Sequence, residues 1–272
     1  MNAITHHNAI VADRGASGAP PVLEVERISK HFGGFCALND VSLSVPAGGL
    51  VGLIGPNGAG KSTLFSIITG FIAPSEGTIR LRGSPVDTLS PFARARAGMV
   101  RTFQVPREFS HLSVRENLMA AIPDQAGEHL FDLFFKPQQV RIQEEQGAAL
   151  VEETVDFLKL KRIADLPAVK LSGGQKKLLE LGRVLMTRPS VILLDEPFSG
   201  VNPVLIAEII DRIIELNERG ISFLVIEHDL EALTRLVGRL TVMDYGTVIA
   251  EGAPQAVLAD ARVRAAYLGG PA

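Results

Sequence analysis

Residues 55–63 constrain the fold of this chain most strongly, because they match the phosphate-binding pattern G-x-x-x-x-G-K-[ST]. An apolar run, Leu50–Ile54, precedes them, and residues 62–69 are predicted to form a helix. The loop residues are Gly55, Pro56, Asn57, Gly58, Ala59, Gly60, Lys61, Ser62 and Thr63. Lys61 is expected to reach the β- and γ-phosphates and Ser62 to ligate Mg²⁺. The strand–loop–helix context favours a nucleotide site over a chance glycine-rich turn.

A second motif, residues 191–197, is an apolar strand that ends in two acids, Asp195 and Glu196. Neighbouring residues of a strand point in opposite directions, so the two carboxylates are predicted to have different roles. At such a strand end in P-loop enzymes the aspartate holds Mg²⁺. Glu196 is then available as a general base that polarises the attacking water. The alternative is a strand that ends in two solvated acids.

A third motif, L-S-G-G-Q at residues 171–175, directly precedes a helix predicted over residues 174–186. Its residues Ser172, Gly173, Gly174 and Gln175 are candidates for a second helix N-terminus that contacts phosphate. Taken alone, this turn would be read as an ordinary helix cap.

The pattern of strands and helices predicts an α/β fold with a mainly parallel sheet and an antiparallel β subdomain. A region rich in Glu, Gln, Leu and Ala, residues 112–171, is predicted to be an inserted helical subdomain. Residues 1–21 are predicted to be a flexible tail and residues 22–269 a single ATPase domain. Strands are predicted at residues 23–28, 41–45, 50–54, 78–82, 99–102, 191–194 and 222–226.

Composition excludes several classes of protein. The formal net charge of −3 over 272 residues argues against a protein that coats nucleic acid. No run approaches the ~18 apolar residues that a membrane span needs, and the N-terminus lacks the pattern of a secretory signal. Cys36, the one cysteine, is expected to be buried. His6 and His7 are expected to be tail residues rather than metal ligands.

Together these motifs resemble an ABC transporter nucleotide-binding subunit. Residues 171–175 match the family signature, and residues 191–197 match its Walker B segment. The resemblance covers about residues 22–269. It implies that two such subunits pair head to tail, with ATP bound between residues 55–63 of one subunit and residues 172–175 of the other.

The resemblance assigns further site residues. Gln104 matches the Q-loop, which touches Mg²⁺ or the water, and His228 matches the switch histidine, which bonds the γ-phosphate. Phe32 lies where the family has an aromatic that stacks on adenine, although Phe35 is a rival three residues later. Asn202 lies in the D-loop, where many relatives have Asp. Without the other motifs, Gln104 would be read as a surface residue, and His228 and Phe32 would be read as structural residues.

Two segments resemble importers of branched-chain or other hydrophobic amino acids: residues 100–104, which lead into the Q-loop, and the C-terminal residues 252–269. Residues 130–136 resemble the longer helical subdomain of that group, and their apolar side chains either pack the subdomain or touch the permease. The sequence departs from many members at Gly173, where they have Tyr, and at residues 176–177, which are Lys.

This resemblance implies two separate permease subunits, a substrate-binding protein outside the membrane and a peripheral location at its cytoplasmic face, with no nucleic-acid partner. A urea or short-amide importer, a lipopolysaccharide exporter and a soluble non-transport ABC ATPase are the alternatives. Four arginines near the Q-loop form either a solvated face or a contact with acidic helices of the permeases. They are Arg94, Arg96, Arg101 and Arg107.

Overall fold

A computed structural model describes residues 20–102, 108–125 and 137–268. The chain divides into two compact units. The first consists of residues 1–101, 189–198 and 213–272, and the second of residues 102–188 and 199–212. The predicted helical insertion, residues 112–171, lies within the second unit.

The first unit contains a six-stranded sheet in the order β10-β9-β3-β8-β7-β6. Neighbouring strands are parallel except for the antiparallel pair β9 and β10. Every residue of β3, β7 and β8 is buried, as expected of central strands covered on both faces. These strands are β3 (Leu50–Ile54), β6 (Met99–Arg101), β7 (Val191–Asp195), β8 (Ser222–Ile226), β9 (Arg239–Asp244) and β10 (Thr247–Gly252).

A smaller antiparallel sheet in the same unit has the order β2-β1-β4-β5. Its inward side chains, such as Leu23, Val25 and Ile79, join the hydrophobic core formed with β3. Its strands are β1 (Pro21–Phe32), β2 (Phe35–Pro46), β4 (Glu76–Leu81) and β5 (Ser84–Pro85). The two sheets confirm the predicted fold class, a mainly parallel core with an antiparallel subdomain.

Helices of the first unit follow several of these strands. They are α1 (Lys61–Ile68), α2 (Pro91–Arg96), α7 (Leu230–Leu236), α8 (Pro254–Ala259) and α9 (Ala261–Leu268). Helix α1 begins one residue before its predicted start, because Gly60 takes the capping position.

The second unit is helical over most of its described length. Its helices are α3 (Val114–Met119), α4 (Pro137–Phe157) and α5 (Gly173–Leu185), with short 3₁₀ helices at Lys161–Ile163 and Ala168–Lys170. Helix α6 (Pro203–Glu218) runs from the second unit into the first. Within the second unit, α3 and α4 pack against α5, and Gly182 of α5 allows the close approach of Leu118 and Leu158.

Over residues 20–102, 108–125 and 137–268, no helix combines the length and apolar character needed to cross a membrane.

Candidate functional site

The P-loop joins the end of β3 to the start of α1. Gly60 caps α1 with φ 98°, in the left-handed region that favours glycine. A Cβ on Gly60 would lie 2.7 Å from Leu38 Cδ2 and 2.9 Å from the Ala37 carbonyl oxygen, so a side chain would push the loop off β2. The loop therefore ends at a helix N-terminus whose free N–H groups suit an anion.

Lys61 is buried within this loop. Its Nζ donates hydrogen bonds to the carbonyl oxygens of Gly55 at 2.6 Å and Pro56 at 3.0 Å. Burial lowers the pKa of the Lys61 ammonium, and the nearby carboxylates of Glu196 and Asp195 oppose that shift. The ammonium thus lies between the P-loop and the acidic end of β7, where a bound phosphate would meet it.

Asp195 ends β7, and its carboxylate is engaged by an arginine of the neighbouring strand β6. Arg101 Nη2 lies 2.6 Å from Asp195 Oδ2, and Nη1 donates to Ser66 Oγ of α1 at 3.1 Å. The side chains of Arg101 and Asp195 are only 11% and 8% exposed. The interpretation of Arg101 as part of a solvated or permease-binding basic face is therefore wrong, because its charge is directed into the nucleotide site.

Arg94 is not part of a solvated or permease-binding basic face either. It is 1% exposed, and its guanidinium donates to the carbonyl oxygens of Ile67 and Ile68 at the end of α1. It bonds the Asp87 and Leu89 carbonyls as well. Arg94 is thus a cap of the P-loop helix.

Of the remaining arginines of the predicted basic region, Arg96 is exposed and stacks on Phe92, with Cζ 4.6 Å from the ring centroid. Arg107 lies outside the described residues. Two of the four arginines therefore point inward, and the described part of the chain does not hold the basic face that the sequence suggested.

Glu196 follows Asp195 in a left-handed conformation, with φ 50°. Asp195 is the last residue of β7, and Glu196 lies just past the strand, so the predicted alternation along a strand does not apply to this pair. Oε1 of Glu196 lies 3.1 Å from Nε2 of His228. His228 directly follows Glu227, just past the end of β8, so the parallel pair β7 and β8 brings the two side chains together. This contact places the Glu196 carboxylate beside a histidine, just past the ends of two neighbouring parallel strands.

The residues predicted to hold Mg²⁺ fit a hard cation. Ser62 offers an exposed hydroxyl at the start of α1, and Asp195 offers a buried carboxylate. Mg²⁺ is bound in nucleotide sites by one or two such oxygens together with phosphates and waters. The electrostatic effect of Asp195 on Lys61 places this carboxylate beside the P-loop. Gln104, the third predicted ligand, lies outside the described residues.

Both candidate adenine-stacking aromatics are available. Phe32 and Phe35 are 47% and 65% exposed and face each other across the β1–β2 turn. The same β2 strand contacts Gly60 through Ala37 and Leu38. The structure therefore places both rings on the hairpin that touches the P-loop and does not choose between them. Cys36, beside Phe35, is exposed, so its predicted burial is wrong, because it lies next to the turn at the tip of the hairpin.

In the second unit the signature residues form the N-terminus of α5. Ser172 Oγ accepts from Gln175 N at 3.3 Å, and Gln175 Oε1 accepts from Ser172 N at 2.9 Å, which is a capping box. A Cβ on Gly174 would lie 2.0 Å from Leu205 Cδ2, whereas one on Gly173 would meet nothing closer than 3.6 Å. Gly174 is thus required for packing, and Gly173 tolerates a side chain.

The D-loop asparagine supports the start of α6. Asn202 Oδ1 accepts a hydrogen bond from Leu205 N at 3.0 Å. Asparagine therefore serves here as the helix-capping residue, a role that the aspartate of many relatives would fill equally well.

Sequence reasoning missed two residues of this region. Burial raises the pKa of the Tyr267 phenol, and a backbone hydrogen bond with Gly55 opposes the shift, so α9 reaches the P-loop. Glu227 is buried and bonds the backbone N–H groups of Phe198 and His228. The only sequence signal for Glu227 was an acid at the end of an apolar strand directly before His228.

The fold and this site define an ATP-binding cassette. A family model described as ABC transporter matches residues 38–199, more than half of the chain. The chain therefore belongs to the ABC transporter family and is an ABC-type ATPase subunit. A second model, described as branched-chain amino acid ATP-binding cassette transporter, matches residues 247–272.

Curated relatives match nearly the whole chain. A probable branched-chain amino acid transport ATP-binding protein LivG of Methanocaldococcus jannaschii is 40% identical over 252 residues, covering 91% of this chain and 97% of the relative. The high-affinity branched-chain amino acid transport ATP-binding protein BraF of Pseudomonas aeruginosa is 36% identical, with 92% and 98% covered.

Solved structures show the same fold. A nucleotide-free ATP-binding cassette from an ABC transporter is 39% identical, with a TM-score of 0.78, and the match covers 91% of this chain and 99% of that one. An ATP-binding cassette in its ADP conformation is 38% identical, also with a TM-score of 0.78, and 92% and 100% are covered.

Proposed function

We propose that this chain is the ATP-hydrolysing subunit of an importer of branched-chain or other hydrophobic amino acids and acts with separate permease subunits. One observation carries the ATPase part: the structure brings Lys61, Asp195, Glu196 and His228 to one edge of the parallel sheet. The names of the curated relatives and the match of residues 247–272 to the branched-chain family model support the choice of substrate.

The residues of the site divide the work of phosphoryl transfer among them. The backbone N–H groups of residues 55–63 and the Lys61 ammonium bind and orient the phosphates. Ser62 and Asp195, together with Gln104, would hold Mg²⁺, which would supply positive charge that offsets the charge of the phosphates. Glu196 accepts a proton from the attacking water at its carboxylate. His228 donates a hydrogen bond to the γ-phosphate, so it must turn from Glu196 toward the nucleotide.

The adenine end of the nucleotide is placed by stacking. We propose Phe32 as the stacking residue, because its ring lies on the β1–β2 hairpin that touches the P-loop at Gly60. Phe35 occupies the facing position on the same turn and is the alternative. Stacking of a base on an aromatic ring is worth about 1–3 kcal/mol in nucleic-acid binders, so replacing the correct phenylalanine should weaken ATP binding.

The complete site needs a second ATP-binding subunit. We assign Ser172, Gly173, Gly174 and Gln175 to the phosphates of the nucleotide on the partner, because they form the N-terminus of α5, where Ser172 and Gly173 are exposed and the helix dipole favours an anion. ATP binding would then close the dimer, and hydrolysis would reopen it. Two permeases would convert this motion to transport at the cytoplasmic face of the membrane, with a binding protein delivering substrate on the other side.

Uptake experiments can distinguish the proposed substrate class from the alternatives. The names of the relatives do not favour a urea or short-amide importer, a lipopolysaccharide exporter or a soluble ABC ATPase. A strain that lacks this gene should lose most uptake of labelled leucine, and the wild-type gene should restore it. Urea uptake should be unchanged in both strains. Unaltered leucine uptake in the deletion strain would refute the proposed substrate.

The role of the P-loop lysine is tested in the same strain. Lys61→Ala should fail to restore leucine uptake, and the purified variant should bind ATP at least tenfold more weakly, because it lacks the charge that meets the phosphates. Lys161→Ala is the matched control, since that side chain is 70% exposed and pairs with Asp156 at the surface. Normal uptake with Lys61→Ala would remove this residue from the site.

A further inference from the structure

Glu227 is a buried carboxylate in the segment that links β8 to α7. The residue is 4% exposed. Burying a carboxylate is costly unless hydrogen bonds replace its lost hydration. Oε1 accepts from Phe198 N at 2.7 Å, and Oε2 accepts from His228 N at 2.8 Å and from Asp229 N at 3.3 Å. Backbone N–H groups therefore donate to both oxygens of the Glu227 carboxylate.

These bonds join two separate segments of the chain. Phe198 lies two residues after Glu196, and His228 directly follows Glu227. The Glu196 backbone N–H also donates to the carbonyl oxygen of Ile226 at 2.9 Å. The two segments that carry Glu196 and His228 are thus fastened at two points, by a main-chain bond and by the Glu227 carboxylate.

Helix capping does not account for this carboxylate. Helix α7 already has an N-cap, because Asp229 Oδ1 accepts from Ala232 N at 3.0 Å. Strand pairing does not account for it either, since β7 and β8 pair through their own backbone and end at Asp195 and Ile226. What Glu227 adds is the placement of the residues just beyond the ends of both strands.

We propose that Glu227 is a positioning residue for ATP hydrolysis: it holds the backbone of His228 against the segment after Glu196, so that both side chains extend into the site from fixed positions of the main chain. The inference rests on the proposed ATPase function. A misplacement of about 1 Å in an active site costs up to about 100-fold in rate, which gives one buried carboxylate a large effect on turnover.

Glu227→Gln tests the role with little change in volume. The amide offers one acceptor oxygen and one NH₂ group, so either Phe198 N or His228 N loses its acceptor and faces a donor. We expect kcat for ATP hydrolysis to fall at least tenfold, while the dissociation constant for ATP stays within about twofold, because the P-loop is unchanged. The matched control is Glu231→Gln, an exposed glutamate four residues later, which should behave as wild type.

A double-mutant cycle with His228→Ala separates positioning from general destabilisation. If Glu227 acts through His228, Glu227→Gln should cost less than threefold in kcat once His228 is alanine. Thermal unfolding of each variant verifies that the assays use folded protein. Should Glu227→Gln fail to fold, Glu227→Asp takes its place, because its carboxylate is shorter by one methylene and cannot reach both segments.

The outcomes separate the inference from the proposed function. If wild type and Glu231→Gln both lack ATP hydrolysis, the proposed function fails. If both hydrolyse ATP and Glu227→Gln matches them, the inference fails. A loss of turnover that is equally large with and without His228, accompanied by a weaker ATP affinity, would show a purely structural role and would also overturn it.

Discussion

At the scale of single residues, the buried pair of Arg101 and Asp195 is the closest ion pair described at the nucleotide site. Arg101 bonds the carboxylate at 2.6 Å and lies over the ring of Phe65, with Cζ 5.6 Å from the centroid. It thereby connects β6, α1 and β7 at the point where Mg²⁺ is expected. Removing one member of a buried ion pair leaves the other charge buried and uncompensated. The loss of stability is therefore larger than the net stabilisation that the intact pair provides.

Arg101→Met should therefore lower the free energy of unfolding by about 3 kcal/mol, because it removes the guanidinium that bonds the buried Asp195 carboxylate. In an Asp195→Asn background the same substitution should cost clearly less. Urea unfolding of the wild type, both single variants and the double variant measures this coupling. Equal losses in the two backgrounds would show that Arg101 stabilises the protein independently of Asp195.

At the scale of elements, the position of the P-loop helix depends on its C-terminal end as well as on its glycine-rich start. The last carbonyl groups of a helix have no partner within it. Arg94 of α2 supplies one for α1, with Nη1 2.8 Å from the Ile67 oxygen and 2.6 Å from the Ile68 oxygen. A Cβ on Gly70 would lie 2.9 Å from Arg94 Nε, so the turn after α1 is shaped around this side chain.

Arg94→Met should destabilise the protein by about 3 kcal/mol, because several buried carbonyl oxygens lose a charged donor. Arg96→Met is the matched control two residues along the same helix, since Arg96 is exposed, and it should cost less than about 1 kcal/mol. Thermal and urea unfolding compare the two. A loss for Arg96→Met as large as that for Arg94→Met would contradict the assigned role of Arg94.

Strands that are defined by a short run of neighbouring residues could be predicted from the sequence. Strands β3 and β8 have the predicted bounds, because each is a short apolar run between turn residues. The role of a residue that bonds a partner far away in the sequence could not be predicted. Arg101 and Asp195 are 94 positions apart, and nothing near Arg101 indicates that β6 lies beside β7. The same holds for Glu227, whose partner Phe198 is 29 positions away.

At the scale of the whole molecule, the C-terminal segment that matches the branched-chain family model also contacts the P-loop. Residues 247–272 match the branched-chain family model, and Tyr267 within them bonds the backbone of Gly55. The described residues include the P-loop of the first unit and the capped helix N-terminus of the second. The proposed dimer would use these two segments in two different ATP sites.

The most direct test of this account is the rate of ATP hydrolysis by Glu196→Gln. Loss of a general base lowers rates by about 10²–10⁴-fold. We predict a fall of at least 100-fold with ATP affinity retained, and accumulation of an ATP-bound dimer on size-exclusion chromatography. The exposed Glu153→Gln should hydrolyse ATP normally. Turnover by Glu196→Gln within a few-fold of wild type would contradict the assignment of the base, and with it the site described for this chain.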